Sequence, residues 1–191
     1  MPTNCIVVSQ GDKAVVVDVA FGCENVAKYL VDNGLKLSAV LLTHGHFDHC
    51  GGVSQLLTRL KADVPVFIHP ADLYLAHNAA NNPWRVQCDN CYPTDSLAEG
   101  LLRIDDFSFD VIETAGHTAG SVVLFTDDYM FSGDTLMSGS VGRTDFPESN
   151  PYAMRGSLNK LKLLTKRCIV LPGHGGQTTL QFEQEHNPFL K

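Results

Sequence analysis

Three histidines and one aspartate lie within six consecutive positions, at His44, His46, Asp48 and His49. Imidazole and carboxylate groups are the usual protein ligands of zinc and similar divalent metals. In an extended loop, His44 and His46 are two residues apart and can point in the same direction. Asp48 and His49 fall where a helix would begin and point elsewhere. The spacing therefore predicts two half-sites for metal rather than one.

Three further residues of metal-ligand type follow apolar runs later in the chain. His117, Asp134 and His174 each come directly after a glycine that ends a strand-like run. Glycine lets the backbone turn tightly, and rigid strands position side chains at their ends. Taken singly, a histidine or aspartate after such a glycine is more typical of a turn residue than of a metal ligand. Together with the first cluster, they predict four strand ends that deliver ligands to one site. The remaining histidines lack this setting and are expected to be surface or packing residues: His69, His77 and His186.

The elements that must position these ligands alternate between short β runs and helical runs. Period-two and β-branched runs predict strands over 6–8, 14–19, 37–42, 64–68, 101–114, 121–126, 129–132 and 168–171. Helical spacing predicts helices over 24–33, 47–61 and 70–77, and another that begins at Asn150-Pro151. The segment after the last strand is short and polar. This mixture predicts an α/β (α+β) class with two sheets and outer helices.

The composition bounds the class of protein. At 191 residues, the chain suits a single domain over 1–191. Its net charge of -7 argues against a surface for nucleic acid or anionic membranes. No apolar run is long enough to span a bilayer, and no signal peptide opens the chain, so we expect a cytoplasmic protein whose partner is a small-molecule substrate.

The six cysteines are scattered, and most lie in or beside apolar runs, as reduced core thiols do. Cys88 and Cys91 form the one C-x-x-C pair, within a polar stretch that is typical of a loop. A redox pair and half of a metal site are the alternatives to two ordinary thiols.

The ordered ligand set resembles that of the metallo-β-lactamase-fold superfamily over almost the whole chain. The resemblance implies a four-layer αββα sandwich and two divalent metal ions, zinc first, with iron or manganese as alternatives. The first ion would be held by His44, His46 and His117, the second by Asp48, His49 and His174, and Asp134 would bridge them. Asp18 matches a family aspartate that supports the ligand loop and orients a ligand.

Within that superfamily, the chain is most similar to short glyoxalase-II-like hydrolases. Zinc β-lactamases place cysteine at the position of Asp134, and flavo-diiron oxidoreductases place glutamate at that of His46. The resemblance implies cleavage of a small, lactoylglutathione-like thioester by a metal-bridging hydroxide, with Asp48 and Asp134 as catalytic carboxylates. The chain ends soon after His174, so we expect no C-terminal helical glutathione-binding domain.

Arg143, in the loop Gly142-Arg143-Thr144-Asp145, is the candidate for contact with an anionic substrate group. A salt bridge to Asp145 is the alternative, and Tyr152 is a weaker candidate for the same cleft. Two other functions remain open. One is a persulfide dioxygenase, which the resemblance implies would hold one iron through His44, His117 and Asp134; the other is a non-catalytic metal-binding protein.

Overall fold

Two mixed β-sheets pack face to face in a computed structural model, which describes residues 2–191. In the first sheet β1 and β2 form an antiparallel hairpin, and β2 to β5 run parallel in the order of the chain. Its strands are β1 (Ile6–Gln10), β2 (Lys13–Val17), β3 (Lys36–Leu41), β4 (Val66–Ile68) and β5 (Asp95–Ser96).

The second sheet has the order β11-β10-β9-β8-β7-β6. Only the β9–β10 pair is parallel, which places the carboxyl ends of these two strands side by side. Its strands are β6 (Gly100–Ile104), β7 (Phe107–Glu113), β8 (Val122–Phe125), β9 (Tyr129–Gly133), β10 (Ile169–Pro172) and β11 (Thr178–Thr179).

Helices cover the outer face of each sheet. The first four pack on the first sheet and the last two on the second. They are α1 (Glu24–Asp32), α2 (Phe47–Cys50), α3 (Val53–Leu60), α4 (Leu73–His77), α5 (Pro151–Lys162) and α6 (Leu180–His186), with short 3₁₀ helices at Pro70–Asp72 and Ala79–Asn81. Within residues 2–191, no helix is long and apolar enough to cross a membrane.

Alternate residues of the strands fill different cores. On β2, Val15 faces the space between the sheets, whereas Val16 faces the first helical layer. On β8, Val122 faces the space between the sheets, whereas Val123 packs under α5 and α6. Because both faces of these two strands are buried, β2 is apolar from Ala14 to Val17 and β8 is apolar throughout. The result is the four-layer αββα sandwich, so the predicted fold class is confirmed.

The sequence predicted one continuous helix over 47–61, and this prediction was wrong. Gly51 and Gly52 interrupt it, and Gly52 becomes the residue before α3. The amide of Gly52 donates to the carbonyl of Val19, and a Cβ at Gly52 would lie 1.9 Å from the carbonyl oxygen of Ala20. This close approach to the strand-end loop stops α2 after one turn.

Two other boundaries also differ from the predictions. The run over 101–114 is a hairpin, because Asp105 adopts a φ of 49° and turns the chain between β6 and β7. The C-terminal segment is not merely polar: Thr179 caps α6 by accepting from the amide of Phe182, and Leu180 is fully buried.

Candidate metal centre

The loop after β3 carries the first four ligand-type residues. Leu41 ends the strand, His44 follows in the buried loop, and His46 is the residue before α2, with extended backbone (φ -67°, ψ 146°). Asp48 and His49 lie in the single turn of α2. The change from extended to helical backbone at His46 therefore separates the two half-sites.

The second sheet delivers the other three residues at the ends of its strands. His117 follows β7, Asp134 follows β9, and His174 follows β10. The amide of Gly173 donates to the carbonyl of Gly133 over 2.8 Å, which holds the last two strand ends together. The structure therefore brings together all seven residues that the sequence singled out as candidate ligands.

Three histidines form one set. The Nδ1 atom of His46 lies 2.9 Å from the Nε2 atom of His117, and His44 offers a third ring nitrogen within 4.8 Å of both. The second set lies beside it: the Nε2 atom of His174 is 3.3 Å from the Oδ2 atom of Asp48 and 3.4 Å from the Nε2 atom of His49.

Asp134 lies between the two sets. Its Oδ2 atom is 3.4 Å from the Nε2 atom of His117 and 3.6 Å from that of His174, and its Oδ1 atom is 3.5 Å from the Nε2 atom of His49. One carboxylate therefore faces both sets, as a bridging ligand would.

Asp18 organises the back of the site. Its carboxylate accepts from the amide and the hydroxyl of Thr43 and from the Nδ1 atom of His49, each over 2.8 Å. Because the Thr43 hydroxyl donates to Asp18, it accepts from the Nδ1 atom of His44. Both rings therefore present Nε2 to the site. This position fits the orienting role predicted for Asp18.

Backbone carbonyls fix two further rings so that these rings also present Nε2 to the site. The Nδ1 atom of His117 donates to the carbonyl of Arg143 over 2.8 Å, and that of His174 donates to the carbonyl of Pro2 over 3.0 Å. Outer acceptors of this kind set the tautomer of metal-binding histidines.

The residues fit a pair of divalent ions. Within residues 2–191, the Nε2 atom of His44 and the Oδ1 atom of Asp134 are buried without a hydrogen-bond partner, and both face the cluster. Buried polar atoms are rarely left unpaired. Five imidazoles and two carboxylates that converge on two adjoining sets form a donor set suited to zinc, iron or manganese.

The protonation of the first set also suits metal binding. Burial, followed by the nearby ring of His49, holds the pKa of His44 well below its usual value. Burial likewise lowers the pKa of His117. Both rings are therefore neutral near pH 7, with a lone pair free on the inner nitrogen.

Charge pairing dominates in the second set. Burial favours the neutral ring of His49, but the charge of Asp18 and its hydrogen bond outweigh it and raise the pKa of His49 to about 9. Burial favours protonated Asp48, but the hydrogen bond of His174 and the charge of His49 hold the pKa of Asp48 well below its usual range. Asp48 is therefore ionised at neutral pH.

Sequence reasoning missed two carboxylates that support the site. Asp72 is fully buried and accepts from the amide of Gly45, the hydroxyl of Thr118 and the amide of Gly120, so it ties the first histidine loop to the loop of His117. Glu148 accepts from the Nε2 atom of His46 over 2.8 Å. Neither residue lies in a ligand-like motif, and no sequence signal marks them.

Two glycines are required by close packing around the ligands. A Cβ at Gly142 would lie 2.1 Å from the carbonyl oxygen of Asp134, and one at Gly173 would lie 2.5 Å from the Oδ1 atom of Asp134 and 2.6 Å from the ring of His49. The backbone therefore forms part of the wall of the site.

Arg143 lies at the rim of the site, with its guanidinium engaged. Its Nε and Nη2 atoms each donate to the carboxylate of Asp145 over 2.8 Å, and its Cζ atom lies 4.5 Å above the ring of Phe146. The salt bridge that the sequence left as an alternative is thus present. Tyr152 is 84% exposed and does not line the cleft.

Cys88, Cys91, His69 and His186 do not belong to the seven-residue cluster. Cys88 and Cys91 are free thiols, and neither belongs to a metal-like cluster within the described part of the chain. His69 contacts Glu113 over 3.2 Å, and His186 donates to the carbonyl of Phe182 in α6. Both histidines have the structural roles expected of them.

Comparison with known sequences gives the class of protein. The sequence profile of the metallo-beta-lactamase superfamily matches residues 1–174, and the chain belongs to this superfamily. Probable metallo-hydrolase YqgX of Bacillus subtilis is 34% identical over 98% of this chain and 92% of that protein. Hydroxyacylglutathione hydrolase GloC of Haemophilus influenzae is 31% identical over 98% of this chain and 92% of that protein.

Solved structures agree on the fold. BLEG-1, a B3 metallo-beta-lactamase, superposes with a TM-score of 0.90 at 34% identity, covering 98% of this chain and 94% of that one. TTHA1623 in a di-iron-bound form superposes with a TM-score of 0.88 at 37% identity, covering 98% of this chain and 95% of that one. ETHE1 from Myxococcus xanthus superposes with a TM-score of 0.77 at 25% identity, covering 98% of this chain and 79% of that one.

Proposed function

We propose that this protein is a binuclear metal-dependent hydrolase that cleaves a small thioester. The observation that carries the proposal is the pair of adjoining ligand sets with Asp134 between them. A hydroxyacylglutathione hydrolase among the relatives and a di-iron-bound structural neighbour support it. Zinc is the proposed ion, with iron and manganese as alternatives that the same donors suit.

The metal pair, when bound, lowers the pKa of a water molecule toward neutrality and polarises the carbonyl of the substrate. The chain supplies the rest. Asp134 faces both halves of the site, and ionised Asp48, which lines the cleft, sets the negative charge beside the second set. His44 and His117 stay neutral ligands because burial disfavours their protonation.

A mononuclear-iron persulfide dioxygenase of the same fold is the second candidate, and the similarity to ETHE1 supports it. Such an enzyme would need His44, His117 and Asp134 alone. The close grouping of Asp48, His49 and His174 favours the binuclear hydrolase instead. Because the chain is similar to BLEG-1, any assay of its activity should also test β-lactam hydrolysis.

His174→Ala separates these functions. We expect the variant to bind one ion fewer per chain and to lose at least about 100-fold in thioester cleavage, because removing a ligand costs no less than removing an outer partner. Elemental analysis and assays with thioesters, β-lactams and glutathione persulfide measure this. His186→Ala, at an exposed position of α6, is the control.

Unchanged turnover in His174→Ala would contradict the binuclear mechanism. A wild type that holds a single iron and consumes oxygen on glutathione persulfide would establish the dioxygenase in its place. His117→Ala or Asp134→Ala should abolish turnover under either function, which shows that the assay reports on the site.

A further inference from the structure

The cleft in front of the candidate metal centre has an aromatic wall. Phe21, Phe47, Trp84 and Phe146, which we call the aromatic strip, contact one another in series, with ring centroids 6.3, 5.5 and 5.8 Å apart. Phe146 also meets the ring of His46 at 5.6 Å, so the strip begins at the metal site. The strip and five of the seven candidate ligands line one cavity of about 500 Å³.

The strip is open to a ligand. Trp84 is 55% exposed and Phe21 is 43% exposed, although large aromatic side chains are usually covered. Val86, Met137 and Val141 extend the apolar lining beside them. A cavity of this size with an apolar wall and a few convergent polar groups is typical of small-molecule sites.

The charges of the cleft do not suit an anionic substrate tail. Outside the seven candidate ligands, Arg143 is the one charged side chain among the described lining residues. Its guanidinium is paired with the carboxylate of Asp145, and its open side stacks on Phe146. The two carboxylates of a glutathione thioester would therefore meet no unpaired cationic side chain in the cleft.

We infer that the substrate is a thioester with an apolar aromatic group, in its acyl or its thiol part, that packs on the aromatic strip. This inference rests on the proposed thioester hydrolysis and specifies its substrate class. A phenyl group gains both burial and ring-to-ring contacts against Trp84 and Phe47, whereas a lactoyl or acetyl group reaches the metal site without touching the outer strip.

Binding of unreactive thioethers tests the strip without turnover. We expect the metal-loaded protein to bind the phenethyl thioether of N-acetylcysteamine at least about tenfold more tightly than the ethyl thioether, by calorimetry. In the kinetic arm, kcat/KM for the phenylacetyl thioester should be higher than for the acetyl thioester and for lactoylglutathione by a similar factor. The gain should come mainly from a lower KM. S-acetyl benzyl mercaptan, compared with S-acetyl ethanethiol, shows whether the thiol part can supply the ring.

Trp84→Ala and Phe21→Ala should each reduce the phenethyl-to-ethyl preference about fivefold. Both side chains are about half exposed, so these variants should keep the fold, and Tyr152→Ala provides an exposed aromatic control away from the cleft. Equal binding of the two thioethers, or a preference that survives both strip variants, would overturn the inference. Tight phenethyl binding without cleavage of any thioester would sink the proposed hydrolysis and leave the aromatic site standing.

Discussion

His46 differs from the other four candidate histidine ligands in the ring nitrogen that faces the site. It presents Nδ1, whereas the others present Nε2. Its outward Nε2 atom meets Glu148, whose side chain is 29% exposed, rather than a backbone carbonyl, a buried hydroxyl or a buried aspartate. A carboxylate acceptor makes the ring a stronger donor to a metal, and Glu148 therefore acts as a positioning residue for the first ion.

Replacing Glu148 tests this role. We expect Glu148→Ala to weaken binding of the first ion by about 10- to 100-fold, because His46 loses the acceptor that fixes its tautomer. Glu148→Gln keeps an oxygen that can accept a hydrogen bond from His46, so it should lose less metal affinity. Chelator competition and the visible spectrum of the cobalt-substituted protein measure the effect, with exposed Glu185→Ala as the control. Equal metal affinity in all three variants would contradict the role.

At the scale of elements, the ligand loops are connected through one buried carboxylate. Asp72 follows β4 in the 3₁₀ helix, yet its oxygens are 2.9 Å from the amide of Gly45, 2.6 Å from the hydroxyl of Thr118 and 2.7 Å from the amide of Gly120. The two sheets each supply one of the loops that it joins. The spacing between His46 and His117 therefore depends on Asp72 as well as on the strands.

Asp72→Asn should destabilise the protein and loosen the first half-site. The amide offers one accepting oxygen where the carboxylate offers two, so one of three buried donors loses its partner, at a cost of about 1–3 kcal/mol in the free energy of unfolding. Urea denaturation of the metal-free protein measures this. Asp63→Asn, at an exposed position, is the matched control. A denaturation midpoint unchanged from wild type would contradict the linking role.

Sequence alone could predict the strand ends and could not predict their supports. His117, Asp134 and His174 follow apolar runs and a glycine, and that local pattern is enough to place them at strand ends. Asp72 and Glu148 have no such pattern, because their roles arise from contacts 27 to 102 residues apart in the chain.

The break at Gly51 and Gly52 was missed for a related reason. The apolar spacing continues through both glycines, but the approach of the Val19–Ala20 loop leaves no room for a side chain. The hairpin at Asp105 was missed because two aspartates replace the asparagine–glycine pair that usually signals such a turn.

At the scale of the whole molecule, the candidate metal centre lies where both sheets end. The loop after β3 comes from the first sheet and carries four candidate ligands, and the second sheet supplies the other three. Two metal ions would therefore join the two halves of the sandwich at that edge, in addition to the apolar core between the sheets.

Removing the metal should consequently lower the stability of the whole fold. Ligand present at about a thousandfold over its Kd stabilises a protein by roughly 4 kcal/mol, which for a chain of this length corresponds to a Tm shift of roughly 10 °C. We expect chelation to lower the Tm by at least that amount and added zinc to restore it, as followed by calorimetry. Asp134→Ala, which loses the shared ligand, should start from a lower Tm and respond less to chelation. A wild-type Tm that is the same with and without metal, at matched pH and ionic strength, would mean that the ions do not hold the two sheets together.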